Sequence, residues 1–258
     1  MQKDIPTAIK NVLALQDLKP SIHVNNVMTA LVNSVISDSK TDLSSINRST
    51  QLNIRNVSSA AETEMEKFWA RLVISSDNPQ QILQTFPYIS NYAELTEREL
   101  KLVEESGLFL NDSHNALVVG SGPLPLSAFE IHRQSGALVD HVDSSLEAIT
   151  LCKNISKALG ITSEHYHAMG HKVVLDKQYD LILIAALAGA SDEAKQQIIN
   201  NILPSLRKGG RIIIRSAKGN RTLLYPPIKA DGLKDIRLLK EYHPTDHIIN
   251  SVLIYERA

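Results

Sequence analysis

The stretch Val118–Glu130, VVGSGPLPLSAFE, sets two glycines one residue apart, after an apolar run and before a segment with helical spacing. A Gly-x-Gly turn between a strand and a helix lets the main chain approach a ligand closely. An acid about 20 residues further on, at the end of the next strand, can accept both hydroxyls of a ribose. Gly120, Gly122 and Asp143 fit that pattern. Gly-x-Gly by itself also occurs in ordinary tight turns; the strand–turn–helix context and the placed acid make it a nucleoside site. Dinucleotides rest a pyrophosphate on the helix N-terminus, where free N–H groups must meet it. Pro123 and Pro125 remove two of those donors and no third glycine follows, which disfavours NAD and FAD. S-adenosylmethionine offers ribose, adenine, a sulfonium and an amino acid end but no phosphate, so it loses little to the prolines and is the expected co-substrate. Ser121 and Leu124 complete its turn. An ordinary methyltransferase turn has an acid two residues before the first glycine; here that place is Val118.

Outward from this turn, the grammar from Asn115 onward is short apolar runs separated by helical stretches, the pattern of a parallel sheet with crossover helices. Strands are expected at Ala116–Val119, Leu138–Val142, His171–Val174, Asp180–Ala185, Arg211–Arg215 and, plausibly antiparallel, Ser251–Tyr255. Helices are expected at Pro125–Gln134, Ser145–Leu159 and Asp192–Leu206. Before residue 110 the apolar residues recur at three and four, so that part reads as helical. Its clearest helix is Glu62–Ser75, with Met65, Phe68, Trp69, Leu72 and Val73 on one stripe. Asp77-Asn78-Pro79 stops it and starts the next. Thr96 and Glu99 form a capping-box pattern, and Gly107 is a helix stop. The expected fold is α/β: an N-terminal helical domain, residues 1–110, and a Rossmann-like S-adenosylmethionine-binding transferase domain, residues 111–258.

The 258 residues carry a formal charge of −1 and are 43% hydrophobic, which argues against a polyanion-binding face and hence against a nucleic-acid partner. Cys152 is the single cysteine, so no intrachain disulfide can form and a cytoplasmic setting is expected. MQKDIPTAIKNVLAL shows no signal-type apolar run and no later segment reaches membrane-spanning length, so no membrane association is expected. The histidines of HYHAMGH, His165, His167 and His171, have no acid or cysteine at zinc spacing beside them, and no metal site is expected. That run, or the segment after the third strand, should meet the adenine. Asp140-His141 reads as a loop edge, and His243 and His247 lie in a later loop.

VVGSGPLPLS, YDLILIAALAG, IIIRSAKGNRTLLYP, HPTDHIINSV and FPYISNYAEL, the last preceded by an acidic helix and a DNP break, resemble the nicotianamine synthases from about Glu62 to the end. The resemblance implies transfer of the 3-amino-3-carboxypropyl arm of S-adenosylmethionine to an amine, with release of methylthioadenosine. It implies Glu66 as proton acceptor and Tyr92 as hydrogen-bond partner of the acceptor amine. Glu62, Tyr88, Asn91 and Tyr225 then belong to the acceptor pocket, and Arg215 and Arg221 hold substrate carboxylates or form structural ion pairs. Ala185, Ala186 and Leu187, small or apolar at the strand-four edge, would lie beside the sulfonium. Without the resemblance, Glu62 and Glu66 would read as a solvated helix face.

Residues before Glu62 match the family poorly, which leaves the acceptor's identity open. The short C-terminus is similar to compact bacterial members that transfer one arm to histidine, giving the precursor of an opine-type metallophore completed by an opine dehydrogenase. Nicotianamine synthesis from three S-adenosylmethionines, small-molecule methyl transfer and a non-catalytic nucleoside- or metallophore-binding module remain the alternatives. A homodimer is also left open.

Overall fold

The computed structural model describes residues 4–38 and 40–258; Met1–Lys3 and Ser39 of the expected helical segment lie outside the described residues. Five helices come first: α1 Ile5–Leu13, α2 Ile22–Ser37, α3 Arg48–Ile74, α4 Pro79–Gln84 and α5 Ile89–Glu105. Side chains that satisfy orphan N–H groups start four of them, Asp4, Ser21, Asn47 and Asn78. Helix α3 runs 27 residues and begins well before the expected Glu62, because Asn47 caps it and its first half is too polar to show a stripe. The Thr96/Glu99 pattern caps nothing: both residues are buried inside α5, whose first turn has no side-chain cap. Gly107 does end that helix region, with a φ of +97°.

The rest alternates strands and helices: β1 Asn115–Val119, α6 Leu126–Ser135, β2 Leu138–Asp143, α7 Leu146–Ala158, β3 His165–His167, β4 Tyr179–Ile184, α8 Asp192–Ile202, β5 Leu206–Ser216, β6 Ile236–Tyr242 and β7 Ser251–Arg257. They form one seven-stranded sheet in the order β3-β2-β1-β4-β5-β7-β6. Strands β1 to β5 pair in parallel, and β7 enters antiparallel between β5 and β6. This is the Rossmann-like arrangement expected. Every residue of β4 is buried, as a central strand covered on both faces requires.

Two expectations about strands are corrected. The third strand is His165–His167, not His171–Val174; Val174 is 85% exposed and has no sheet neighbour. Strand β6 went unexpected because its mixed burial, typical of an edge, leaves no apolar run. Asp140 and His141 lie within β2 and are buried, not at a loop edge. The Asp140 carboxylate accepts from Lys177 Nζ and Tyr179 Oη, both at 3.0 Å, and from the Glu164 N–H at 2.8 Å.

The boundary at residue 110 falls between α5 and β1, and two apolar cores straddle it. One joins Ile5, Ile9, Leu31 and Ile54 to Leu223 and Leu224; the other joins Ala70, Val73 and Phe86 to Leu124, Phe129 and Ile155. The helices are therefore clamped over the C-terminal edge of the sheet, where β1, β2 and β4 end. Among the described residues, no helix is long and apolar enough to cross a membrane.

Candidate active site

A cavity of about 510 Å³ opens at that edge. Gly120, Ser121, Gly122, Pro123 and Leu124 line it, with Asp143 from the end of β2 and Ala185, Ala186 and Leu187 from the end of β4. The turn is tight for reasons that can be read atom by atom. Gly120 and Gly122 have φ of +83° and +70°. A Cβ on Gly120 would stand 2.9 Å from that of Ala188, and one on Gly122 would stand 2.8 Å from a Glu66 carboxylate oxygen. The glycines let the β4 loop pack on the turn and let Glu66 reach it.

Three of the donors left after the two prolines are committed within the protein. Gly120 and Ser121 N–H groups donate to the Val142 carbonyl at 2.8 and 3.2 Å, and the Gly122 N–H donates to Asp143 Oδ2 at 2.9 Å. These three donors are not free for a pyrophosphate, which strengthens the case the prolines make. Asp143 also accepts from the Ser145 N–H at 2.9 Å, so its carboxylate is oriented, with lone pairs left for vicinal hydroxyls. The Ala168–His171 loop after β3 forms the far wall, where a base would lie.

Beside this cavity lies a second, of about 180 Å³, walled by α2, α3, α5 and the segment before β7. Tyr88 and Asn91 line it, along with Asn25, Met28 and His247, which sequence reasoning did not single out. Glu62, Glu66, Tyr92, Tyr225 and Asn250 border both cavities and form the wall between them. Tyr225 donates to the two Glu62 oxygens at 3.0 and 3.1 Å, and Tyr92 to one of them at 3.5 Å. Burial raises the Glu62 pKa, opposed by the two tyrosine hydroxyls and by Arg215. Burial, with Glu62 and Asp143 adding negative charge, pushes Glu66 well above the usual carboxylate range. Burial likewise keeps both tyrosines protonated, as hydrogen-bond donors. Glu66 thus holds its proton more tightly than an ordinary carboxylate and faces the glycine turn from across the cavity.

Arg215 lines the larger cavity and is a buried ion-pair partner: its Nε and Nη2 donate to the Glu99 carboxylate at 2.7 and 2.8 Å, and Nη1 donates to Ser127 Oγ at 2.8 Å. Arg221 lies outside both cavities. Its guanidinium donates to the Ile248 and Asp246 carbonyls at 3.2 and 2.6 Å, so it braces the loop before β7 and holds no substrate carboxylate in this arrangement.

Lys195, fully buried and unforeseen, donates to the Ala185, Ala186 and Ala188 carbonyls at 2.5, 3.3 and 2.6 Å. It gathers those three oxygens and fixes the loop beside the glycine turn. The HYHAMGH histidines diverge: His171 lines the larger cavity, His167 bonds the Ser144 carbonyl, and His165 stacks on His141 with ring centroids 4.8 Å apart. His141, His165 and Cys152 each bring one ligand atom within 4.8 Å of the others. The two rings are within 15° of parallel, so their in-plane lone pairs run side by side. Burial and His165 lower the His141 pKa to about 3, so its ring is neutral.

Comparison with known proteins places this geometry. The family model described as nicotianamine synthase protein matches residues 2–258, well beyond the Glu62 limit expected from the motifs. Nicotianamine synthase 2 of Oryza sativa subsp. japonica is 30% identical over 95% of this chain and 78% of its own length. Nicotianamine synthase of Solanum lycopersicum is 28% identical over 93% and 78%. Among solved structures, MtNAS in complex with MTA and tNA superposes with a TM-score of 0.80 at 22% identity, over 98% of this chain and 97% of that one. A glutamate-to-glutamine variant of MtNAS in complex with S-adenosylmethionine gives 0.78, also at 22% identity, over 98% and 96%. The chain belongs to the nicotianamine synthase family.

Proposed function

We propose that the protein transfers the 3-amino-3-carboxypropyl arm of S-adenosylmethionine to the amine of a single amino acid, most simply histidine, and releases methylthioadenosine. The observation that carries this reading is the shared wall. A raised-pKa carboxylate, Glu66, and a protonated tyrosine, Tyr92, stand between a nucleoside-shaped cavity and a small second one. Co-substrate use agrees with the solved MtNAS complexes with S-adenosylmethionine and MTA.

In this reading Asp143 takes the ribose hydroxyls, the Ala168–His171 loop covers the adenine, and the sulfonium lies near Ala185–Leu187. The acceptor amine enters from the smaller cavity with Tyr92 and Glu62 orienting it. Its lone pair attacks the arm's methylene carbon, the C–S electron pair returns to sulfur, and the sulfonium becomes a neutral thioether. The new secondary ammonium passes its proton to Glu66. Choosing the methylene over the methyl is a matter of position rather than intrinsic reactivity. The helices of residues 1–110 act as the domain that closes the acceptor side over the transferase domain of residues 111–258.

The smaller cavity holds about 180 Å³ and no lysine or arginine lines it, which favours one transfer to one amino acid. Nicotianamine, built from three arms, would bring three carboxylates to a wall already acidic with Glu62 and Glu66. Asn25, Asn91 and His247 suit a polar side chain such as an imidazole. The product keeps a free amine, the group an opine dehydrogenase would consume in opine-metallophore synthesis, and the lone unpaired Cys152 suits a cytoplasmic setting.

Incubation with S-adenosylmethionine and L- or D-histidine, followed by mass spectrometry, tests the reading. One methylthioadenosine per one-arm adduct is expected. S-adenosylhomocysteine instead would make the protein a methyltransferase, nicotianamine from S-adenosylmethionine alone would make it a nicotianamine synthase proper, and an unconsumed ligand would make it a binding module.

A further inference from the structure

Of the five residues that border both cavities, four belong to the carboxylate–tyrosine network just described, and the fifth is Asn250. Its carboxamide, half-buried, has no hydrogen-bond partner among the described residues. A half-buried amide carries two donors and an acceptor that a ligand entering the cavity can take over from solvent. Asn250 immediately precedes β7, whose Ser251 pairs with Ser216 and Val252 with Arg215. It therefore sits at the sheet end that also carries Arg215, on the wall the transferred group must cross.

The arm of the donor is itself an amino acid, and its carboxylate needs donors close to that wall. Glu62 and Glu66 would repel it. The Tyr225 and Tyr92 hydroxyls donate to Glu62. Arg215 is the one lysine or arginine lining the donor cavity, and three of its N–H groups are given to Glu99 and Ser127. Among the five residues of the shared wall, the uncommitted amide of Asn250 remains. Resting on the transfer reading above, we infer that Asn250 is a substrate-positioning residue whose amide N–H groups hold the carboxylate of the 3-amino-3-carboxypropyl arm. This contact turns the methylene, and not the methyl, toward the acceptor amine.

Methylthioadenosine lacks the arm, so it separates this role from a structural one. Calorimetric titration of the full chain and of Asn250→Ala and Asn250→Asp with S-adenosylmethionine and with methylthioadenosine is the test. The expected result is about a tenfold loss of S-adenosylmethionine affinity in Asn250→Ala, and a larger loss in Asn250→Asp through carboxylate repulsion. Methylthioadenosine affinity should stay within twofold in both. Equal weakening of the two ligands, or S-adenosylmethionine affinity unchanged with only the acceptor's KM raised, would overturn the inference. If the wild type binds both ligands but releases no methylthioadenosine with any amine, the transfer reading falls, and the split between the ligands still decides the carboxylate contact.

Discussion

The two cavities that meet at Glu66 are built by opposite means. The donor side is sheet edge and glycine turn, and the polar groups of that turn are spent internally: Gly120, Ser121 and Gly122 N–H groups go to β2, and Lys195 gathers three carbonyls of the β4 loop. Such a turn is pre-organised, and in the proposed reading it recognises by shape with Asp143 as its main polar reader. The acceptor side is helix faces, apolar through Val24, Met28, Val32 and Leu95, with amides at Asn25, Asn91 and Asn250 that have no partner among the described residues. It offers its hydrogen bonds to whatever enters. The contrast teaches that, in the proposed reading, a rigid wall suits a fixed co-substrate while the helix wall could change acceptors by changing a few side chains.

The largest effect should come from the wall itself. Glu66→Gln should lower turnover by about 10²–10⁴-fold, the usual share of a general base, with S-adenosylmethionine affinity changed only a few-fold. In the wild type the rate should rise with pH as Glu66 ionises, over a limb above the ordinary carboxylate range, and the variant should lose that limb. Methylthioadenosine release between pH 5 and 9 measures both; turnover within threefold of wild type would remove Glu66 from the chemistry.

Next is the strut beneath both cavities. Arg215→Met leaves Glu99, 1% exposed, without its partner and should cost about 3–5 kcal/mol in urea unfolding. Adding Glu99→Leu should recover most of that loss, because the cost lies in the orphaned charge. If the double variant were as unstable as the single one, packing and not pairing would be the strut's role.

On the donor side alone, Asp143→Asn should weaken S-adenosylmethionine and methylthioadenosine together, by about 1.5–3 kcal/mol, and leave the acceptor's KM in place. A shift in acceptor KM of the same size would erase the division between the two sides. The smallest effect is on stability. The raised pKa of Glu66 means the folded state holds a proton that the unfolded state releases near pH 4.3. Wild-type stability should therefore fall as pH rises from there through the folded-state value, while Glu66→Gln stays level. Thermal melts at pH 4 and pH 8 should show the variant gaining on the wild type only at the higher pH.

The donor side was largely legible in the sequence. Glycines with positive φ, prolines without N–H groups and an acid closing an apolar run act locally, so Gly120, Gly122, Pro123 and Asp143 could be placed from their neighbours. The acceptor side was not. Asn25 stands in α2, far along the chain from His247 and Asn250 in the loop before β7, and the three show no periodic or spacing signal. Thr96 and Glu99 misled for the same reason: the pattern is local, but Glu99 answers to Arg215, 116 positions away. Family likeness supplied Glu66 and Tyr92; without it Glu66 would have been left on a solvated face.

By itself the sequence determined the alternation of strands and helices, the tight glycine turn short of main-chain donors and the acid that closes the second strand, since each follows from backbone freedom or burial period within a few residues. Tertiary structure alone decided which buried charges are paired and which carboxylate is left high in pKa. It also decided which amides stand free between the cavities. Those properties depend on desolvation and on partners that only packing brings within 3 Å, as when Arg215 leaves Glu99 satisfied and Glu66 without a cation of its own.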